Sequence, residues 1–227
     1  MIKKIFMSVA VLACTLGSIE MKAQTAVDSA YNNGYYQLRM EYFDEVPSRK
    51  KEIVFLGNSI TEAGDWLDIL PKKRVANRGI SGDISFGVLA RLDKILENKP
   101  AKIFLLIGVN DLKREIPKEL IIQNYRKIVN RVRTYSPKTR LFLQSVLPVN
   151  EEKLIEPFKK VKMEDIVYLN EALQEIAKEN QIEYINLWEV LGNKEGQLIE
   201  RFTPDGIHLK PIAYIKWVDY LKKKKYL

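Results

Sequence analysis

The 227-residue chain contains one histidine, His208, within Thr203-Pro204-Asp205-Gly206-Ile207-His208-Leu209. Any reaction that requires an imidazole base must use it. Asp205 stands three residues earlier, a spacing that puts both side chains on one side of a turn or helix start. A carboxylate so placed fixes the tautomer of the ring and stabilises the imidazolium. Far upstream, Gly57-Asn58-Ser59-Ile60-Thr61 ends the apolar run Ile53 to Leu56. A serine hydroxyl is a weak nucleophile until a base takes its proton, so Ser59, His208 and Asp205 make up a nucleophile, a base and its orienter. Acyl transfer also needs donors for the oxyanion. Three are available: the backbone N–H of Ser59, the backbone N–H of Gly82 in Gly79-Ile80-Ser81-Gly82-Asp83, and the side-chain amide of Asn110 in Gly108-Val109-Asn110-Asp111. Free N–H groups collect where a turn enters a helix.

Each residue alone has a plainer use. Ser59 suits a helix cap, Gly82 a turn, Asn110 and Asp111 turn or cap positions, Asp205 an Asx turn, and Asn58 a loop-stabilising amide. His208 suits a structural surface position. Independent caps have no reason to recur at four successive strand ends, and the joint pattern favours chemistry. Trp66, close after Ser59, is expected at the pocket edge. Trp188 and Trp217 are expected in the core, and Phe86 suits core or site equally.

The elements that must position these groups alternate between strand and helix. Ile53–Leu56, Val75–Ile80, Lys102–Ile107, Leu141–Val146 and Tyr184–Leu187 read as strands. Tyr35, Leu38 and Tyr42 give helical spacing over Tyr35–Asp44. Ile84, Val88, Leu92 and Ile95 mark a second helix, with Ser81 or Asp83 as its cap. Pro117 suits the first turn of a third, whose apolar face is Ile121, Tyr125, Ile128 and Val132. Ile166, Leu169, Leu173 and Ile176 mark a fourth, and a last helix is expected from about Pro211 to Leu221. This alternation predicts an α/β fold, a parallel sheet covered on both faces, with function at the carboxyl ends of the strands. All four motifs fall there. The irregular segment from Pro148 to Lys162 is expected to border the site.

Residues 25–227 suit one domain by length and composition. The net charge is +8, but the lysines are scattered. The single dense run, Lys222 to Lys225, reads as a solvated, frayed tail rather than a nucleic-acid or membrane patch. No zinc-type cluster, P-loop or RNA-binding signature is present, so no nucleic-acid partner is expected. Residues 1–24 read as a signal peptide: Lys3 and Lys4 precede the apolar stretch Ile5–Ile19, with cleavage near Ala23 or Gln24. The expectation is an exported protein, periplasmic or secreted, with no stable membrane insertion after processing. Lipoprotein processing at Cys14, the one cysteine, is the alternative. With the signal removed no cysteine remains, which leaves no disulfide and no thiol nucleophile.

The four blocks, in this order, resemble the SGNH (GDSL) hydrolase superfamily, whose Ser, Gly, Asn and His fall on Ser59, Gly82, Asn110 and His208, and whose Asp-x-x-His falls on Asp205 and His208. The resemblance spans about Lys51 to Leu221. It implies a flavodoxin-like three-layer α/β/α fold with a five-stranded parallel sheet, and ester hydrolysis through an acyl-enzyme without cofactor or metal. Phe55 to Thr61 and Asn77 to Asp83 look closest to the branch holding platelet-activating-factor acetylhydrolases and secreted sugar O-acetylesterases. That implies short acyl groups, acetate first, on a small-molecule or glycan ester. Lysophospholipids or thioesters are the alternative substrates, and glycan binding without turnover is the alternative function. The family's Gly-Asp-Ser is Gly57-Asn58-Ser59 here, so an amide replaces the acid beside the nucleophile. There is no Gly-x-Ser-x-Gly elbow, because position 61 is threonine.

Overall fold

The computed structural model describes residues 27–46 and 49–227. The expected signal segment and Cys14 lie outside the described residues. Five strands, β1 (Ile53–Gly57), β2 (Val75–Gly79), β3 (Lys102–Leu106), β4 (Arg140–Gln144) and β5 (Glu183–Ile185), form one parallel sheet in the order β2-β1-β3-β4-β5. The chain steps outward from β1 to β2, then crosses back to continue from β3 on the other side. The loops after β1 and β3 therefore diverge, and the crevice between them is where ligands bind in open parallel sheets. Ser59 and Asn110 follow these two strands.

Apart from Lys102, which opens β3, the middle strands β1 and β3 carry no polar side chain, because both faces are covered. The parallel register aligns Phe55 with Phe104 and Phe104 with Phe142. The three rings stack across the sheet, with centroids 5.1 and 4.5 Å apart. Trp66 lies flat on Phe55 at 3.8 Å, and Trp217 meets Trp66 edge-on. Trp66 is thus a core residue, not a pocket edge as expected. Its indole N–H donates to the carbonyl of Thr61, which satisfies its polar atom and leaves nothing to draw the ring toward water. Trp217 is buried as expected, while Trp188 and Phe86 are half-buried against the core.

Nine α-helices accompany the sheet among the described residues: α1 (Gly34–Glu45), α2 (Ser59–Glu62), α3 (Trp66–Ile69), α4 (Ser85–Glu97), α5 (Val109–Lys113), α6 (Lys118–Tyr135), α7 (Met163–Asn180), α8 (Trp188–Leu191) and α9 (Pro211–Lys223). Neighbouring helices α4, α6 and α7 form one layer; α9, which carries Trp217, covers the aromatic face. The predicted faces of α6 and α7 are buried, and so is that of α4 apart from Ile95, which is half-buried. The face predicted for α1 is not: Leu38 is 59% and Tyr42 52% exposed, whereas Tyr36 and Phe43 are buried with Ile80 in a small separate cluster. Aromatic residues occur on both sides of α1, so periodicity alone does not choose between them. The choice falls to Tyr36, whose hydroxyl donates to the carbonyl of Gly87.

The cap expected for α4 is also different. Its N-cap is Ile84, and neither Ser81 nor Asp83 caps it in the usual way. The Ser85 N–H donates instead to the Asp111 carboxylate, 3.0 and 3.1 Å from its two oxygens. The C-terminus is not frayed. Lys222 to Lys225 are exposed, but Tyr226 packs edge-on against Phe142 and its carbonyl accepts from Lys102 Nζ. Among the described residues no helix is long and apolar enough to cross a membrane.

Candidate active site

Ser59 opens α2 immediately after β1. Asn58 is the N-cap: its Oδ1 accepts from the Ile60 N–H at 3.0 Å, which starts the helix and turns the next residue out of the sheet. Nδ2 of Asn58 is buried without a partner among the described residues. Gly79, at the end of β2, lies against α2 so closely that a Cβ there would stand 2.2 Å from the Glu62 nitrogen and 2.8 Å from the Asn58 carbonyl. Only glycine lets strand and helix meet at this distance.

Ser59 and His208, 149 residues apart, meet with Oγ 3.1 Å from Nε2. Nδ1 of His208 is 2.6 Å from Oδ2 of Asp205. The second carboxylate oxygen of Asp205 accepts from the N–H groups of His208 (2.8 Å) and Ile207 (3.0 Å). This is an Asx-type turn in which one oxygen holds the backbone while the other holds the ring. Burial pushes the Asp205 carboxyl up, but hydrogen bonds from the His208 ring and these two amides outweigh it. The acid therefore ionises below the usual carboxylate range. A third of the His208 side chain is exposed.

The three expected donors have separate supports. The amides of Ser59 and Gly82 have no protein acceptor among the described residues. Gly82 has φ +78°, in a turn closed by the Asp83 N–H on the carbonyl of Ile80. Asn110 is buried on α5, and one hydrogen of its amide goes to the carbonyl of Asp83 at 2.9 Å. An amide carries two donor hydrogens, so one remains for a ligand.

Sequence reasoning missed what ties these loops together. Arg91 of α4 is buried. It reaches Asp83 with Nε and Nη2 (3.1 and 2.9 Å), the carbonyl of Arg78 with Nη1, and the carbonyl of Gly57 with Nη2. One guanidinium thus joins the ends of β1 and β2 to the loop before α4. Burial raises the Asp83 carboxyl, and Arg91 opposes the rise. Beside them Asp111 accepts from the Ser85 hydroxyl, which in turn accepts from the Asn124 amide. Burial pushes the Asp111 carboxyl up to about 7, against hydrogen bonds from Ser85. In sequence Arg91 is one more charged residue on an amphipathic helix. Its position beside the buried Val88 and Leu92 is the only trace. The segment from Pro148 to Lys162 does reach the site: Phe158 meets the His208 ring edge-on at 5.8 Å, and Lys113 Nζ lies over the Phe158 ring, 4.7 Å from its centroid.

The arrangement defines a class: a parallel α/β hydrolase with a serine, a histidine and an aspartate in hydrogen-bonded sequence. Residues 55–214 match the GDSL-like lipase/acylhydrolase family. The chain belongs to that family and is by class a carboxylic ester hydrolase. It is 30% identical over 195 residues to the GDSL esterase/lipase WDL1 of Oryza sativa subsp. japonica, covering 74% of each chain. A Streptococcus pneumonia structure provisionally described as a platelet activating factor is 30% identical and superposes with a TM-score of 0.76, over 84% of this chain and 92% of that one. The fold alone is shared with Axe2, an acetylxylan esterase from Geobacillus stearothermophilus (TM-score 0.62, 17% identity, 78% of this chain and 94% of that one).

Proposed function

We propose that the protein is an exported serine esterase that removes short acyl groups, acetyl first, from carbohydrate esters. The observation that carries the reading is the continuous path from Ser59 Oγ through His208 to Asp205, at 3.1 and 2.6 Å. His208 Nε2 takes the Ser59 proton as Oγ attacks the ester carbonyl. Nδ1–H stays on Asp205, whose ionised carboxylate steadies the imidazolium. The developing oxyanion takes hydrogen bonds from the Ser59 and Gly82 amides and from Asn110. His208 then protonates the leaving alcohol, and water activated by the same ring releases the acid. No metal or cofactor enters this sequence.

The partly exposed His208 supports a bulky alcohol such as a sugar, and the acetylxylan esterase of the same fold supports an acetyl group. Export rests on the basic and apolar character of residues 1–24. The test is hydrolysis of p-nitrophenyl acetate by the mature protein and by Ser59→Ala. Loss of turnover by roughly 10⁴-fold or more in the variant is expected. Activity retained in Ser59→Ala overturns the mechanism. A preference for p-nitrophenyl esters of eight carbons or more would replace the acetylesterase reading with a lipid or thioester one. Saturable glycan binding without turnover would replace it with a binding function.

A further inference from the structure

The amide of Gly82 belongs to a turn, and something must hold that turn against the helix that carries Ser59. The Asp83 N–H closes it on the carbonyl of Ile80, and Gly82 has positive φ at its third position. Ser81, at the second position, is not among the residues of positive φ. That combination is a type II turn. Its central peptide, between Ser81 and Gly82, carries the Gly82 N–H. This peptide points the opposite way in the commoner type I turn, so the donor's direction depends on what fixes Ser81.

Glu62 fixes it. It is the last residue of α2, one helical turn after Ser59. Its Oε2 accepts from both the N–H (2.6 Å) and the hydroxyl (2.5 Å) of Ser81. Its Oε1 accepts from the hydroxyl of Tyr35 (2.6 Å) and lies 3.0 Å from Arg39 Nε as an ion pair. Its carbonyl accepts from the Asn77 amide, and its nitrogen sits against Gly79. Both ends of the residue are thereby clasped by β2 and the turn that follows. A bare carboxylate near a developing oxyanion would oppose it, and Arg39 offsets that charge. On the other side of the turn, Arg114 reaches the carbonyls of Ala30 and Gly82.

We propose that Glu62 is a positioning residue for the oxyanion donor: through the N–H and hydroxyl of Ser81 it ties the turn that carries the Gly82 N–H to the nucleophile's helix, with Tyr35 and Arg39 of α1 holding its carboxylate in place. The inference rests on the esterase reading above. A misdirected donor weakens binding only where charge develops, so kcat should fall while KM holds.

The experiment compares wild type, Glu62→Ala, Glu62→Gln, Ser81→Ala and Tyr35→Phe on p-nitrophenyl acetate. It also measures inhibition by phenylboronic acid, which adds to Ser59 as a tetrahedral anion. Glu62→Ala is expected to lose about tenfold or more in kcat, with KM within about twofold and inhibition weakened by the same factor. Glu62→Gln keeps one acceptor oxygen for the Ser81 N–H and should recover most of the loss. Ser81→Ala, which keeps that N–H, should lose less than Glu62→Ala. Should Glu62→Ala fail to fold, Ser81→Ala and Tyr35→Phe carry the test through the same split of kcat from KM. Wild-type kcat and boronate affinity in every folded variant overturn the inference and leave the esterase reading standing. A wild type that neither turns over the ester nor binds the boronate overturns both.

Discussion

Asn110 carries two amide hydrogens, and under the proposed mechanism this sets what its removal should do. One hydrogen anchors the carbonyl of Asp83, and the other is available to the oxyanion. Asn110→Ala is expected to lower kcat by about 10²–10³ with a smaller change in KM, read from steady-state kinetics on p-nitrophenyl acetate. An equal rise in KM at constant kcat would place Asn110 in substrate binding instead. Asn58 shows the opposite division. Its Oδ1 caps α2 while its Nδ2 lies buried without a partner among the described residues. The replacement of the family's acid by an amide leaves the cap in place. Ser59, Asp205 and His208, which the structure joins in one hydrogen-bonded path, were legible from residue type and order, because a serine nucleophile needs a base and the chain has one histidine. Glu62 and Arg91 were not legible. A carboxylate or guanidinium in sequence carries no sign of which distant backbone groups it will meet.

At the scale of elements, the approach of β2 to α2 is set by the missing side chain of Gly79. A Cβ would lie 2.2 Å from the Glu62 nitrogen, and the obstacle is backbone, which cannot swing away. Gly79→Ala should cost about 1–3 kcal/mol as overpacking, measured by urea denaturation, and should reduce kcat because α2 carries Ser59. Unchanged stability would show that the two elements separate without penalty. The strands and long helices were readable from period and apolar runs, since burial on both faces of a parallel sheet leaves a continuous apolar signature. Of the four short helices, only the start of α2 at Ser59 was expected; α3, α5 and α8 were not predicted as helices. They span one turn or slightly more, and no periodic pattern forms over four or five residues. The buried face of α1 was misread for a related reason: both sides carry aromatic residues, and only the tertiary partner Gly87 separates them.

Across the whole molecule, a buried polar system behind the site holds three loops at once. Arg91→Leu would strand Asp83 as an unpaired buried carboxylate. A loss of about 3–5 kcal/mol is expected, seen as a lower urea midpoint; a loss under about 1 kcal/mol would mean that water reaches Asp83 in its place. Asp111 makes stability depend on pH. Burial pushes its carboxyl up to about 7, well above the ordinary carboxylate range, so the folded state binds the proton more tightly than the unfolded chain. The proton favours folding below the folded pKa, and stability is lost as pH rises from the unfolded value toward about 7. Asp111→Asn should flatten the thermal midpoint between pH 5 and pH 8. An unchanged slope would show that other groups set it. The sequence alone determined the order of strands and helices and the residue types of the chemistry, because hydrophobic period and the needs of acyl transfer are local or compositional. Tertiary structure decided which side chains meet. It brought Ser59 to His208 across 149 residues, sent Trp66 into the aromatic stack, and joined Glu62 to Ser81 and Arg91 to Gly57. Those contacts depend on strand order and crossover, which place the carboxyl ends of β1, β2 and β3 side by side, and no spacing along the chain encodes that adjacency.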